Sequence, residues 1–364
     1  MRNPCDDWAT DSTRLGLGRA ALGGLRLAEN KRPGKKRRKP YRKSGRKNPE
    51  VDESVITAES IVDGRAARVV AHHGVAVLVR FESGEEKQVW LQPEQKAVVG
   101  DRVQVAGGRL GVEPAHGILR RRDPRGRERT IATNLDYLGV VVAPVPREPP
   151  GYIDRGFVIA RAAGIEPFLV LNKIDLDEDN VLGNRLAEIY GPSAPLLCVS
   201  AQSGENVDLV KALLADDSVE EATMPPEGKL GAFVGPSGVG KSSLLNVLVP
   251  DLALRVGELN RGSGKGRHTT TTATLHSLVG GGTLVDTAGF KDFIAVDLDP
   301  LDAATHFPGF EGAGEAGCRF RNCLHRTEPD CAILAAVECG DVDERRHRSY
   351  VQLIEELETS DGRS

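Results

Sequence analysis

A chain of 364 residues, 27% charged and 40% hydrophobic, is long enough for two or three domains with their own cores. No apolar run approaches the ~20 residues of a membrane span, and Arg14, Arg19 and Arg26 interrupt the apolar residues that a signal-peptide core would need. These features exclude an integral membrane protein and point to a cytoplasmic one, and the abundant glycine and scarce aromatics suit a loop-rich α/β fold.

The formal net charge of −4 hides an asymmetry. Lys31 to Lys47 holds 11 of the 48 Lys and Arg and no acid, leaving 37 basic against 52 acidic residues elsewhere. Like charges mixed with Pro and Gly cannot bury a core, so residues 1–54 read as a basic, disordered tail. Such a tail suits RNA phosphates; the plainer reading is a solvated tail without a dedicated partner.

From Val55 to Arg122 the pattern is short strands: Ala67–Ala71, Val75–Phe81, Lys87–Leu91, Asp101–Val105 and Leu110–Val112. Five strands at this spacing suit an OB-type β-barrel over 55–130, a common nucleic-acid platform, with an SH3-like barrel as the alternative. Leu119 to Thr130 leaves the barrel with six arginines, as a phosphate-facing patch or an exposed basic linker.

An α/β region over 131–298 follows. Tyr137–Ala143 is a continuous apolar run, as in a parallel strand covered on both faces. A helix over about Ile153–Ala163 stops at Gly164. The strand Pro167–Leu171 delivers Asn172, Lys173 and Asp175 of an N-K-x-D motif at its carboxyl end, where ligands sit in open α/β sheets. Asp175 can accept hydrogen bonds from guanine N1–H and N2–H₂. Adenine lacks that donor pair, and leaving the carboxylate unpaired costs on the order of two to three powers of ten in affinity. Asn172 ties the loop and the Lys173 stem covers the base. A second strand, Pro195–Val199, ends in Ser200 and Ala201, whose backbone N–H suits guanine O6.

After a Pro/Glu-rich linker comes the strand Leu230–Val234 and the turn Gly235, Pro236, Ser237, Gly238, Val239, Gly240, Lys241, Ser242, Ser243. It fits G-x-x-x-x-G-K-[ST]. Glycines let backbone N–H groups converge on phosphate oxygens, and the helix N-terminus adds partial positive charge. Lys241 reaches the β- and γ-phosphates, and the Ser242 hydroxyl sits on Mg²⁺. Downstream, Arg267 to Thr272 follow a glycine-rich stretch, and Thr270 in this loop suits a switch I contact to Mg²⁺ and the γ-phosphate. Thr283–Val285 is a strand into Asp286, for a Mg²⁺-bound water, and Gly289, whose N–H would sense the γ-phosphate. The P-loop alone also suits a nucleoside-monophosphate kinase, and the whole set also suits an adaptor that binds GTP without hydrolysing it.

Cys318, Cys323, His325 and Cys331 place three thiolates and an imidazole within 14 residues. Such a set holds one structural zinc, with no open position for chemistry. Cys5, Cys198 and Cys339 lack such company and read as plain thiols. Ala332 to Leu357 reads as helix broken at Gly340, with Tyr350, Leu353 and Leu357 on one face, giving a helical zinc-binding region over 299–364.

The base-recognition motifs precede the P-loop and switches, the reverse of Ras-type order. With IDRGFVIARAAGIEPFLVLNKID, GPSGVGKSS, RHTTTT, DTAGF and the cysteine cluster, the chain resembles the circularly permuted GTPases of the ribosome small-subunit-dependent GTPase A (RsgA) family over about Val55 to Glu356. The resemblance implies a multidomain, circularly permuted P-loop GTPase. It implies GTP hydrolysis stimulated by the small ribosomal subunit and its rRNA, and a role in late maturation of that subunit. A monomer, without membrane association, is expected. Where Ras-type proteins carry a water-orienting glutamine, this chain has Phe290. Hydrolysis then needs another group, and His268 on the glycine-rich loop joins Lys241 as a candidate catalytic residue.

Overall fold

The computed structural model describes residues 58, 61, 63–93, 95–122, 127–215, 228–249, 252, 273–286, 298–313 and 317–361. All of these lie in one compact unit, Ser54–Ser364. The basic run Lys31–Lys47 lies outside the described residues.

The alternating segment folds as five antiparallel strands, β1 (Arg65–His72), β2 (Ala76–Phe81), β3 (Glu86–Trp90), β4 (Arg102–Ala106) and β5 (Arg109–Val112), neighbours in the order β3-β2-β1-β4-β5. Each end falls within a residue or so of the alternation. Every second residue turns inward, and Val69, Val77, Val79, Val89, Val103 and Leu110 form a dry core. The β4–β5 turn uses Gly107 and Gly108, both at positive φ (56° and 76°), which a two-residue hairpin loop requires. The arginine-rich segment corrects the reading of a linker: β6 (Leu119–Arg122) and β7 (Glu128–Ala132) pair as an antiparallel hairpin. Its base is anchored because Leu119 and Ala132 are completely buried.

Five parallel strands then build the central sheet: β8 (Tyr137–Val142), β9 (Glu166–Asn172), β10 (Leu196–Val199), β11 (Leu230–Val234) and β13 (Thr283–Asp286), in the order β10-β9-β8-β11-β13. β12 (Thr274–Ser277) pairs antiparallel beside β13, and beyond it β1 continues the sheet. β8, β9 and β11 bury both faces, which explains their unbroken apolar runs. Helices α1 (Tyr152–Ala162), α2 (Val181–Tyr190), α3 (Asp208–Leu214) and α4 (Lys241–Leu248) supply the crossovers. Parallel order puts the carboxyl ends of β9, β10, β11 and β13 at one edge, so loops far apart in sequence meet there.

The C-terminal region contains α5 (Ala303–His306), α6 (Ala332–Cys339) and α7 (Glu344–Asp361). Gly340 ends α6 at φ 85°, where the sequence places the break. Tyr350, Leu353 and Leu357 are all buried on one face of α7. Phe307, Phe310 and Tyr350 stack with ring centroids 4.8–5.3 Å apart, and Val158 of α1 joins the same core. Among the described residues no helix is long and apolar enough to cross a membrane.

Candidate nucleotide site and metal cluster

Asn172 is the hub of the carboxyl-end edge. It is 1% exposed, and both ends of its amide bond protein: Nδ2 donates to the Val239 carbonyl at 2.8 Å, and Oδ1 accepts from the Ala201 N–H at 3.0 Å. One side chain thus clamps the P-loop to the loop after β10. Its neighbour Lys173 adopts left-handed φ (63°), an unfavourable choice for a side-chain-bearing residue. The Lys173 Nζ donates to the carbonyls of Val145 (2.8 Å) and Gly238 (2.7 Å), which hold it there. Asp175 Oδ1 accepts from the Ser200 hydroxyl at 2.6 Å, and Ser200 is fully buried. These bonds fix the carboxylate's orientation, as a base-reading group needs.

Asn172, Lys173, Ala201, Gln202, Gly240 and Ser243 line a cavity of about 280 Å³. Sequence reasoning named all of these except Gln202, which no motif marks. The Ala201 N–H, read as a donor to guanine O6, donates to Asn172 in this structure. The Asn172 carbonyl lies in line with it, a partner that no spacing in the sequence reveals.

The P-loop leaves β11 and enters α4 at Gly240. Gly240 has φ 94°, and a Cβ there would meet Asn172 Nδ2 at 2.3 Å, so both backbone strain and crowding demand glycine. Lys241 Nζ donates to the carbonyls of Gly235 and Pro236 (2.8 Å to the latter), so its charge lies across the loop between Gly235 and Gly240. Ser242 and Ser243 open α4, with Ser237 and Gly238 in the loop before them. Asp286 ends β13 at the same edge, and burial pushes its carboxyl above the usual range. His268, Thr270, Gly289 and Phe290 lie outside the described residues.

In the C-terminal region, one ligand atom from each of Cys318, Cys323, His325 and Cys331 falls within 4.8 Å of all the others. Cys318 Sγ lies 3.8 Å from Cys331 Sγ, and His325 Nδ1 lies 3.4 and 3.3 Å from these two sulfurs. With metal–sulfur bonds of about 2.3 Å, a tetrahedron has edges of about 3.8 Å, so the cluster has the right size for zinc. Burial keeps the His325 pKa below its ordinary value, which favours the neutral imidazole that a metal needs. Burial, with Cys331 and Cys318 alongside, pushes the Cys323 thiol up to about 12. A cation bound between the ligands would favour the thiolate. His347 Nε2, 2.7 Å from the His325 carbonyl, steadies the ligand loop from α7. Cys198 is a free thiol packed beside the sheet core, as read. Cys339, at the exposed end of α6, is not a plain thiol: it is disulfide-bonded.

The RsgA GTPase family model matches residues 112–295. The small ribosomal subunit biogenesis GTPase RsgA of Pseudomonas fluorescens strain Pf-5 is 39% identical over 303 residues, covering 79% of this chain and 84% of the relative. Its counterpart in Pseudomonas syringae pv. tomato is 37% identical over 321 residues, covering 83% and 90%. The crystal structure of YjeQ from Thermotoga maritima superposes with a TM-score of 0.64 at 32% identity, covering 80% of this chain and 98% of that one. The circularly permuted GTPase YloQ gives a TM-score of 0.58 at 23% identity over 81% and 96%, a likeness of fold. By sequence over most of its length, and by a sheet in which the base-reading loops precede the P-loop, this chain belongs to the RsgA family of circularly permuted GTPases.

Proposed function

We propose that this GTPase binds the small ribosomal subunit through its rRNA, acts in late maturation of that subunit, and hydrolyses GTP to GDP and phosphate when the subunit stimulates it. The observation that carries the nucleotide choice is Asp175, held by buried Ser200 beside a cavity whose opposite wall is the P-loop. Asp175 selects guanine. The P-loop amides from Gly235 to Ser243 and the Lys241 ammonium hold the phosphates. The Ser242 hydroxyl would hold the Mg²⁺ that accompanies GTP and Asp286 a water bound to it; when bound, the ion would neutralise charge on the β- and γ-phosphates. Thr270 and Gly289 meet the γ-phosphate. His268 orients the attacking water, because Phe290 stands where Ras-type enzymes have glutamine. The cluster Cys318, Cys323, His325 and Cys331 holds one structural zinc.

On this reading the chain has a basic tail (1–54), an OB-fold barrel (55–130), the permuted GTPase domain (131–298) and a zinc-binding helical domain (299–364). It works as a cytoplasmic monomer. The curated relatives are named for biogenesis of the small ribosomal subunit, and the barrel and basic tail supply surfaces for rRNA. Co-sedimentation tests the partner. The chain loaded with a non-hydrolysable GTP analogue should pellet with purified small subunits, and much less so with GDP. Equal pelleting with large subunits, or none with either, would overturn the assignment.

A further inference from the structure

Strand β1 serves two cores. Val69 is buried in the barrel core, whereas Val70 belongs to the cluster under the central sheet with Val99, Leu135 and Leu275. The pairing with β2 explains the split. Val69 opposes Val79 and Ala71 opposes Leu78, so Val70 is the extra residue of a β-bulge. A bulge re-aims one side chain and bends its strand. Here it carries β1 out of the barrel and onto the central sheet.

Immediately after the bulge, Ala71 pairs with Thr274 of β12. On its other side Thr274 pairs with Asp286. A single residue therefore separates the barrel from the carboxylate at the end of β13. Directly opposed residues of an antiparallel pair project to the same face, with Cβ atoms about 5 Å apart. Asp286 shares its face with Leu284, which packs in one cluster with Leu244 and Leu245 of the P-loop helix. The other end of β12 is tied as well. Arg80 Nη1 of β2 donates to Ser277 Oγ at 2.9 Å, and Glu86 holds the Arg80 Nε at 2.9 Å. Within β12, Thr274 Oγ1 lies 2.8 Å from His276 Nε2.

A four-residue strand has little stability of its own and takes its position from its neighbours. Both ends of β12 are set by the barrel on one side, and Asp286 is set by β12 on the other. We propose that β12 is the lever by which a ligand on the barrel positions Asp286 for phosphoryl transfer, with Arg80 and Ser277 as positioning residues. This rests on the reading of Asp286 as the Mg²⁺-side carboxylate and of the small subunit as activator. The same strand begins two residues after the threonine run that ends at Thr272, so it also links the barrel to that loop.

The test uses full-length Arg80→Met, Arg80→Lys, Ser277→Ala and the Arg80→Met/Ser277→Ala double variant, each checked for an unchanged melting temperature. GTP turnover is measured without and with saturating purified small subunits across a Mg²⁺ titration. Unstimulated turnover should stay within about twofold of wild type, while stimulated kcat falls at least about fivefold and half-saturating Mg²⁺ rises. The double variant should be no worse than the worse single one, because both act through one contact. Arg80→Lys should restore part of the rate. Unchanged stimulated kcat and Mg²⁺ requirement in all variants would overturn the lever while leaving the proposed function standing. A loss confined to subunit affinity in Arg80→Met would make Arg80 an RNA contact and overturn its positioning role. A wild-type chain that subunits do not stimulate would overturn the function and the lever together.

Discussion

Asn172 shows what a motif does and does not encode. Its position in N-K-x-D was legible because the spacing reports a strand end and a tight loop, which are local properties. That its amide would join Val239 to Ala201 was not legible, because those partners are 67 and 29 residues away. Lys173 is similar: its Nζ holds two backbone carbonyls as well as lying at the cavity wall. Asp175 is the residue whose role is most directly testable. Asp175→Asn should shift preference from GTP towards xanthosine triphosphate, whose C2 carbonyl accepts an amide donor. Competition binding checks it, and unchanged selectivity would remove Asp175 from the role. The reaction itself should depend on His268. A positioned general base or water-orienting group contributes roughly 10²–10⁴-fold. His268→Ala should therefore keep GTP affinity and nucleotide-dependent subunit binding but lose most of the stimulated rate. Single-turnover hydrolysis on saturating small subunits measures this, and a wild-type rate there would assign the water to another group.

At the scale of elements, the strands and helices were legible wherever one period dominated. The antiparallel strands β1–β5 alternate, the central strands are apolar throughout, and α7 repeats Tyr350, Leu353 and Leu357 on one face. The β6–β7 hairpin was missed because its arginines mask the alternation. The docking of the C-terminal helices was also invisible. Arg155–Glu356 and Arg161–Glu311 bridge it at 2.6 and 2.8 Å, but both glutamates are well exposed, so each pair contributes about 0–1 kcal/mol. Burial of Val158 against Phe307 and Tyr350 carries more. The buried Asp154 accepts from the Tyr190 hydroxyl at 3.1 Å beside Arg346 and fixes geometry there. Burial raises the Asp154 pKa against the pull of Arg346. Cys323 and Cys331 of the Cys₃His cluster share one core with residues of α6 and α7. Metal analysis should find about one zinc per chain, and Cys323→Ser should lower the melting temperature of this region while GTP binding survives. Metal-free protein with an unchanged melting profile would contradict the zinc assignment.

At the scale of the molecule, one sheet runs from the N-K-x-D strand β9 through the P-loop strand β11 to the antiparallel strands β1–β3. The order of motifs along the chain was readable. The continuity of β1 with β12 was not, since it joins segments about 200 residues apart through a bulge that leaves no compositional trace. On the proposed function, the basic N-terminal segment acts at this scale through charge alone. Deleting Met1 to Lys47 should weaken binding to small subunits and flatten its salt dependence, because counterion release scales with phosphates neutralised. Equal salt slopes for full-length and truncated chains would refute that. The central claim is that guanine recognition, a P-loop site whose D-x-x-G motif lacks the usual following glutamine, and RNA-facing surfaces make a GTPase that waits for its ribosomal partner. Its most direct test is steady-state GTP turnover by the full chain with and without purified small ribosomal subunits. The account predicts slow turnover alone and a rise of at least about tenfold with small subunits and not with large ones, as expected when an absent water-positioning group is supplied or ordered by a partner. The same rate with and without small subunits would contradict it.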